Sequence, residues 1–334
     1  MIFCISAPLR SKNTVAIPLL DVRHLSVSYA NRTAPVRAVR DVTFEVYPGE
    51  TFALVGETGC GKSTIALSLL GLLHGRDHIE GEILFEGRDL RRLTARDWRR
   101  IRGLKIGSVF QDPSGSLNPV LTIEAHLIEA LRTHRAISRA SARVRAWELL
   151  AEVGITERHK GRYPSQLSRG MCQRVGLALA ICNNPGLLIA DEPTSALDPT
   201  IQAQLLKLLR GLKQTHGLAL LLISHDLALV AEFADRVGVM YHGHLVEVGK
   251  AREVLTQPRH PYTRALLDSL PDLQHRCFER PLYPVPGTSP VSGEEFSGCP
   301  FAPRCPLVEF LCHESLPSPE VISEFHWAAC IKAR

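Results

Sequence analysis

One stretch of nine residues constrains this chain more than any other feature: Gly56-Glu57-Thr58-Gly59-Cys60-Gly61-Lys62-Ser63-Thr64. It fits the pattern G-x-x-x-x-G-K-[ST], a loop that cradles nucleotide phosphates. The apolar run Thr51–Val55 before it predicts a strand, and residues 64–73 after it predict a helix. That strand–loop–helix order is the context the pattern requires. Glycines let the backbone turn tightly, so that successive N–H groups face an anion at the positive end of the helix. In that arrangement Lys62 reaches the β- and γ-phosphates, and the Ser63 hydroxyl is a Mg²⁺ ligand.

Composition sets the broad class. With 45% hydrophobic and 22% charged residues, the 334-residue chain can bury a sizeable core, and its length suggests about two domains. The net charge of +5 comes from acidic and basic residues mixed along the chain. The richest basic stretch, residues 88–102, is interrupted by Asp89 and Asp97, which argues against a nucleic-acid-binding stripe. No apolar run approaches the ~18 residues needed to span a bilayer. Residues 1–8 hold a short apolar segment, but Arg10 and Lys12 follow it, the reverse of a secretory signal. A cytosolic chain is expected, with any membrane role exercised through partners.

Short strands are predicted at residues 19–22, 26–29, 42–46, 82–85 and 105–110. Residues 123–153 turn helical. A buried-type strand at 187–190 precedes a helix opened by Pro199, and strand 219–223, helix 227–233 and strand 236–240 follow. Strands alternating with helices imply a parallel sheet covered on both faces. Beyond residue 260 only 261–270 is expected to be helical, and frequent prolines then suggest a separate, irregular appendage.

The strand at 187–190 runs into two carboxylates, Asp191 and Glu192. After a phosphate loop, Asp191 is expected in the Mg²⁺ shell, and Glu192 is expected to polarise the attacking water as general base. Pro193-Thr194-Ser195-Ala196-Leu197-Asp198 follows directly.

With these motifs in place, the chain resembles the ATP-binding subunits of ABC transporters along nearly all its length. The resemblance implies an α/β P-loop ATPase core with an antiparallel β subdomain, a helical subdomain and a cysteine-rich C-terminal extension. It makes Gln111 the Q-loop glutamine that senses Mg²⁺ and water, and His225 the switch histidine at the γ-phosphate. Asp198 matches the aspartate that communicates across an ATPase dimer, and Tyr29 matches the aromatic that stacks on adenine. Leu167-Ser168-Arg169-Gly170-Met171-Cys172-Gln173-Arg174 is similar to the ABC signature, which in the family reads Leu-Ser-Gly-Gly and completes the partner subunit's ATP site. Ser168 and Gly170 keep that pattern. Arg169 replaces the first glycine, a departure easiest to accommodate in a heterodimer.

Two further stretches resemble the oligopeptide and dipeptide importers within that family. They are Gln111-Asp112-Pro113-Ser114-Gly115-Ser116-Leu117-Asn118-Pro119 and His260-Pro261-Tyr262-Thr263-Arg264-Ala265-Leu266-Leu267. Cys299, Cys305, Cys312 and Cys330 then follow in the spacing C-x5-C-x6-C-x17-C, with Cys277 outside it. Spacing alone leaves iron–sulfur, zinc and no metal open, although zinc sites usually contain a close C-x₂₋₄-C pair. In the peptide importers this pattern resembles the ligand set of a [4Fe–4S] cluster.

The resemblance implies an ATPase that energises peptide import at the cytoplasmic face of the bacterial inner membrane. Its implied partners are two membrane permease subunits, a second and non-identical ATPase subunit, and a periplasmic or lipid-anchored substrate-binding protein, with no nucleic acid. Near relatives import nickel, and others sugars or opines. A soluble ABC ATPase acting on nucleic acid is the rival; the single cassette and the short stretch between Gln111 and Leu167 weigh against it. Residues 1–18 are expected to be an N-terminal extension and 19–260 the ATPase domain, with a helical subdomain at 112–182. Residues 261–334 form the expected C-terminal extension.

Overall fold

The computed structural model describes residues 17–31, 35–195, 197–270, 283–291 and 293–333. Cys277, Ala196 and nearly all of the expected N-terminal extension lie outside the described residues. β1 (Leu20–Tyr29) is one strand where the sequence suggests two. His24 takes a φ of +49°, and the register with β2 (Val36–Val46) shifts between Val22 and Leu25. The strand bends through an irregularity instead of ending.

β3 (Thr51–Val55) leads into the glycine-rich loop and α1 (Lys62–Leu69). β4 (His78–Phe85) and the short β5 (Arg88–Asp89) complete an antiparallel sheet of order β2-β1-β4-β5. Thr94 and Asp97 form a reciprocal capping box that starts α2 (Ala95–Ile101). β6 (Ile106–Val109) precedes the helical region. The expected helical stretch at 123–153 resolves into α3 (Ile123–His134) and α4 (Arg139–Glu152), separated where Ser138 accepts a hydrogen bond from the Ser141 N–H at 3.0 Å. After α5 (Arg169–Ile181), β7 (Leu187–Asp191), α6 (Pro199–His216), β8 (Ala219–Ile223), α7 (Leu227–Phe233) and β9 (Arg236–Tyr241) alternate as predicted.

Strands β6, β7, β8, β3 and β9 lie side by side and parallel in that order. Every residue of β3, β7 and β8 is buried. The period of two distributes them to opposite faces. Phe52, Leu54, Ile189 and Leu221 join the core under the antiparallel sheet and α1. Ala53, Val55, Ala190 and Leu222 join the core beneath the helices. A sheet covered on both faces accounts for these uninterrupted apolar runs. Among the described residues, no helix is long and apolar enough to cross a membrane.

The C-terminal segment corrects the expectation of a separate appendage. After β9 the chain turns into β10 (His244–Lys250), α8 (Ala251–Thr256) and α9 (Pro261–Asp268). Further on, α10 (Phe310–Glu314) precedes β11 (Glu320–Ser323) and β12 (His326–Ala328), which extend the main sheet beyond β10. The join is polar at its centre. Glu247 of β10 is fully buried and accepts hydrogen bonds from the Arg259 and His260 N–H groups, both at 2.9 Å. It also pairs with His326 Nε2 at 2.8 Å. Beside it, Tyr241, Tyr262 and Phe301 form an aromatic cluster with centroids 4.5 to 5.3 Å apart, burying extension residues in the ATPase core. Removing the partner of several buried donors costs more than the bonds contribute on balance. Glu247→Ala is therefore expected to cost about 3 kcal/mol of stability and to expose the segment beyond residue 283 to protease before the core. A melting curve and proteolysis pattern unchanged from the parent would show that Glu247 does not anchor the join.

Candidate active site

Parallel strands place their C-terminal ends along one edge, and ligands of open α/β sheets bind there. Four of the expected functional segments sit at that edge, after β3, β6, β7 and β8. In the loop after β3, Gly56 has φ +149° and Gly61 has φ +107°. A Cβ at Gly56 would lie 2.2 Å from the Met240 carbonyl oxygen, and one at Gly61 would lie 2.3 Å from that of Ala38. Only glycine fits either position. Lys62 is buried, and its Nζ donates to the carbonyls of Gly56 (2.7 Å) and Glu57 (2.9 Å). The lysine thus spans its own loop from the inside. No side chain caps the N-terminus of α1, which leaves its first N–H groups free for an anion. Cys60 is enclosed, and burial pushes its thiol up, so it serves as a neutral packing group.

β7 ends in Asp191, which is 7% exposed and has the Ser63 side chain beside it. Burial raises its carboxyl above the usual range, the neighbouring Ser63 hydroxyl opposes this, and the Glu192 charge adds to it. Its Oδ1 is buried with no hydrogen-bond partner among the described residues. A bare buried carboxylate oxygen next to a serine hydroxyl suits a hard cation with oxygen ligands, so the residues fit Mg²⁺. Glu192 stands at φ +47°, an unfavourable conformation for a residue with a Cβ. Its Oε2 accepts from Gln111 Nε2 at 2.9 Å, and its Oε1 meets His225 Nδ1 at 3.1 Å. The carboxylate is thereby aimed from both sides.

Gln111, Glu192 and His225 line one cavity of about 960 Å³, bounded also by Tyr29, Ser195, Leu266 and Gly293, while Asp191 and Cys60 are not part of its wall. The Tyr29 hydroxyl shares a hydrogen bond with Thr64 Oγ1 at 3.0 Å. Gly56, Glu57, Thr58, Gly59, Gly61, Lys62, Ser63 and Thr64 all contribute to the wall. Ser168, Gly170 and Asp198 do not. Ser168 caps α5 by accepting from the Met171 N–H at 3.3 Å, and Asp198 caps α6 by accepting from the Ile201 N–H at 3.0 Å. A Cβ on Gly170 would meet Ile201 at 2.7 Å, so the two helix starts pack together. Arg169 is exposed at the first position of α5. Within one chain, the expected site residues form two groups.

The sequence reading missed the C-terminal segment's share of this site. Leu266 and Gly293 line the cavity, and Arg304, Ser289 and Tyr262 all bond Glu57 of the phosphate loop. The one available signal was an acid inside a loop that must hold an anion.

Cys299, Cys305, Cys312 and Cys330 are free thiols facing a single small cavity. Burial pushes Cys299 up to about 11. Among the described residues, no group of three or more His, Cys, Asp or Glu side chains is placed to hold a metal ion. The four thiols converge, but less tightly than in a formed metal centre.

Comparison with known proteins defines the class. Residues 39–195 match the ABC transporter family, and residues 246–312 match the oligopeptide/dipeptide transporter C-terminal region. A dimeric ATP-binding cassette, MJ0796, solved in a post-hydrolysis state with ADP and Pi, superposes with a TM-score of 0.64 at 29% identity, covering 70% of this chain and 99% of that one. The dipeptide transport ATP-binding protein DppD of Bacillus subtilis is 44% identical, over 93% of this chain and 94% of its own. A probable peptide ABC transporter ATP-binding protein of Sinorhizobium fredii, y4tR, is also 44% identical, over 95% and 96%. The oligopeptide transport ATP-binding protein OppD of Mycobacterium tuberculosis is 44% identical over 94% of this chain but only 52% of its own length.

The chain therefore belongs to the ATP-binding subunits of ABC transporters, in the oligopeptide/dipeptide branch of that family. Its enzymatic activity is ATP hydrolysis coupled to transport.

Geometry separates binding from turnover. Glu192→Gln leaves Lys62 and the loop intact but removes the carboxylate aimed by Gln111 and His225. It is expected to retain ATP and lose at least about 100-fold in hydrolysis. Lys62→Ala should instead lose nucleotide affinity. Near-normal hydrolysis by the Glu192→Gln transporter would place the base elsewhere.

Proposed function

We propose that this chain energises the import of di- and oligopeptides across the inner membrane, acting peripherally at its cytoplasmic face. The observation that carries the substrate class is the match of residues 246–312 to the oligopeptide/dipeptide transporter C-terminal region. Relatives named for dipeptide and oligopeptide transport support it. Two such subunits enclose ATP between them, each offering its phosphate loop to one site and its signature to the other. The placement of Ser168, Gly170 and Asp198 away from the phosphate-loop cavity favours this pairing, as does the dimeric state of the MJ0796 cassette. Arg169 favours a non-identical partner. Residues 19–260 are assigned as the ATPase domain, and the helical region 112–182 docks on two permease subunits. Residues 261–334 are assigned as the C-terminal extension. A periplasmic or lipid-anchored binding protein delivers the peptide.

In hydrolysis, Lys62 and the loop N–H groups hold the phosphates. Ser63 and Asp191, with Gln111 nearby, would hold Mg²⁺, which when bound would supply positive charge against the phosphate oxygens. The Glu192 carboxylate takes the proton of the attacking water, and Gln111 and His225 keep it aimed. Tyr29 supplies an aromatic face for adenine.

Reconstitution of the chain with its permease and binding-protein partners tests the substrate class. ATP-dependent uptake of labelled di- or oligopeptide, abolished by Glu192→Gln, is the expected result. Uptake of nickel, a sugar or an opine without peptide would reassign the cargo. Co-purification with nucleic acid in place of permease subunits would overturn the transport role.

We also propose a structural [4Fe–4S] cluster on Cys299, Cys305, Cys312 and Cys330: tetrathiolate sets suit such clusters and the four thiols line one small cavity, although they would have to draw closer together than they stand here to hold a metal. Protein purified without oxygen should carry about four irons with matching acid-labile sulfide. Cys305→Ser should lose that iron and open the extension to protease before ATP binding suffers. Stoichiometric zinc without iron would replace the cluster with a metal staple.

A further inference from the structure

The phosphate loop carries an acid at the position where its task is to attract an anion. Glu57 is the second residue of the loop. Its carbonyl accepts from Lys62, and its N–H donates to the Tyr262 hydroxyl at 2.9 Å. Left alone, its carboxylate would repel the triphosphate, because like charges in a half-buried, poorly screened site interact strongly.

The carboxylate is not left alone. Arg304 grips it with a two-point fork: Nη1 to Oε2 at 2.9 Å and Nη2 to Oε1 at 3.0 Å. Ser289 Oγ adds a third bond to Oε2 at 2.7 Å. Burial alone would raise the Glu57 carboxyl, but the bonds from Arg304 and Ser289 outweigh it and hold it below the usual range. Arg304 is itself braced. Its Nε donates to the Pro286 carbonyl at 2.5 Å and its Nη1 to the Tyr241 hydroxyl at 3.1 Å. The guanidinium lies 5.7 Å from the Tyr241 ring centroid and 5.9 Å from that of Phe301. With its side chain only 5% exposed, the arginine has one dominant arrangement, the kind of site where a planar fork outperforms a lysine.

Arg304 lies 247 residues from Glu57 and directly precedes Cys305. The C-terminal segment therefore reaches the phosphate loop through one ion pair, beside the Ser289 and Tyr262 hydrogen bonds. We propose that Arg304 is a positioning residue for ATP, acting through Glu57: it neutralises the loop's acid and turns it away from the phosphates. On this view the extension completes the chain's own nucleotide site. The proposal rests on ATP occupying the phosphate loop. Lys62→Ala checks that reading separately, since it should abolish binding whatever Arg304 does.

The test is MgATP affinity, measured calorimetrically on the full-length chain in a Glu192→Gln background that blocks turnover. Arg304→Gln should weaken binding about tenfold, about 1.4 kcal/mol, and the loss should shrink at high salt. Adding Glu57→Gln to Arg304→Gln should recover most of that loss, because the repelling charge is gone. In the assembled transporter with Glu192 intact, Arg304→Gln should raise KM for ATP by a similar factor while kcat stays within about twofold. Unchanged affinity in Arg304→Gln overturns the proposal. So does a double variant as weak as the single one, which would make Arg304 a brace without an electrostatic role. Should Arg304→Gln fail to fold, Glu57→Gln alone decides. It leaves an uncompensated cation beside the phosphates and should tighten ATP binding at low salt, and equal or weaker binding overturns the proposal.

Discussion

Parallel neighbours cannot be joined by a tight turn, so each connection between β6, β7, β8, β3 and β9 must cross a face of the sheet. All five strands consequently end along one edge. The loop after β3, Gln111 after β6, Glu192 after β7 and His225 after β8 meet there because their strands are neighbours, although they are far apart in sequence. Burial of the sheet on both faces holds those strand ends in register. The two hydrophobic cores are thus the support for an aimed carboxylate and a glycine-shaped anion cradle.

The same edge explains how much strain the site tolerates. Gly56 and Gly61 press against the backbone of Met240 and Ala38, and Glu192 is held in a left-handed conformation. Such features persist only where the surrounding structure over-determines them. Here β9, β2 and the β8 end supply that constraint. The Glu192 N–H donates to the Ile223 carbonyl at 2.9 Å, which locks the turn after β7 to its neighbour.

The C-terminal segment carries a more general point about irregular chain. It contains few regular elements and many prolines, yet it is anchored at both ends. Glu247 gathers Arg259, His260 and His326 on one side, and Glu57 gathers Arg304, Ser289 and Tyr262 on the other. Two carboxylates, one fully buried and one partly buried, organise what apolar burial alone would leave loose. A segment built this way can belong to the ATPase core and still present four thiols to a common cavity.

The local motifs were legible in the sequence, because a phosphate loop, an acid-ended strand and a proline-opened helix depend on neighbouring residues. The parallel class followed from the alternation of strands and helices, and the strands at 51–55 and 219–223 match the prediction residue for residue. β10 escaped notice because Glu247 interrupts its apolar run, and its burial makes sense only once distant donors surround it. β11, β12 and the Glu57–Arg304 pair were hidden for the same reason. By itself, the sequence determined the chemistry available at each loop and the family to which the chain belongs. Tertiary structure decided that the cysteine-bearing segment packs against the phosphate loop and adds to the wall of its cavity. An ion pair spanning 247 residues leaves no periodic trace, and it exists only after the sheet has brought its two ends together.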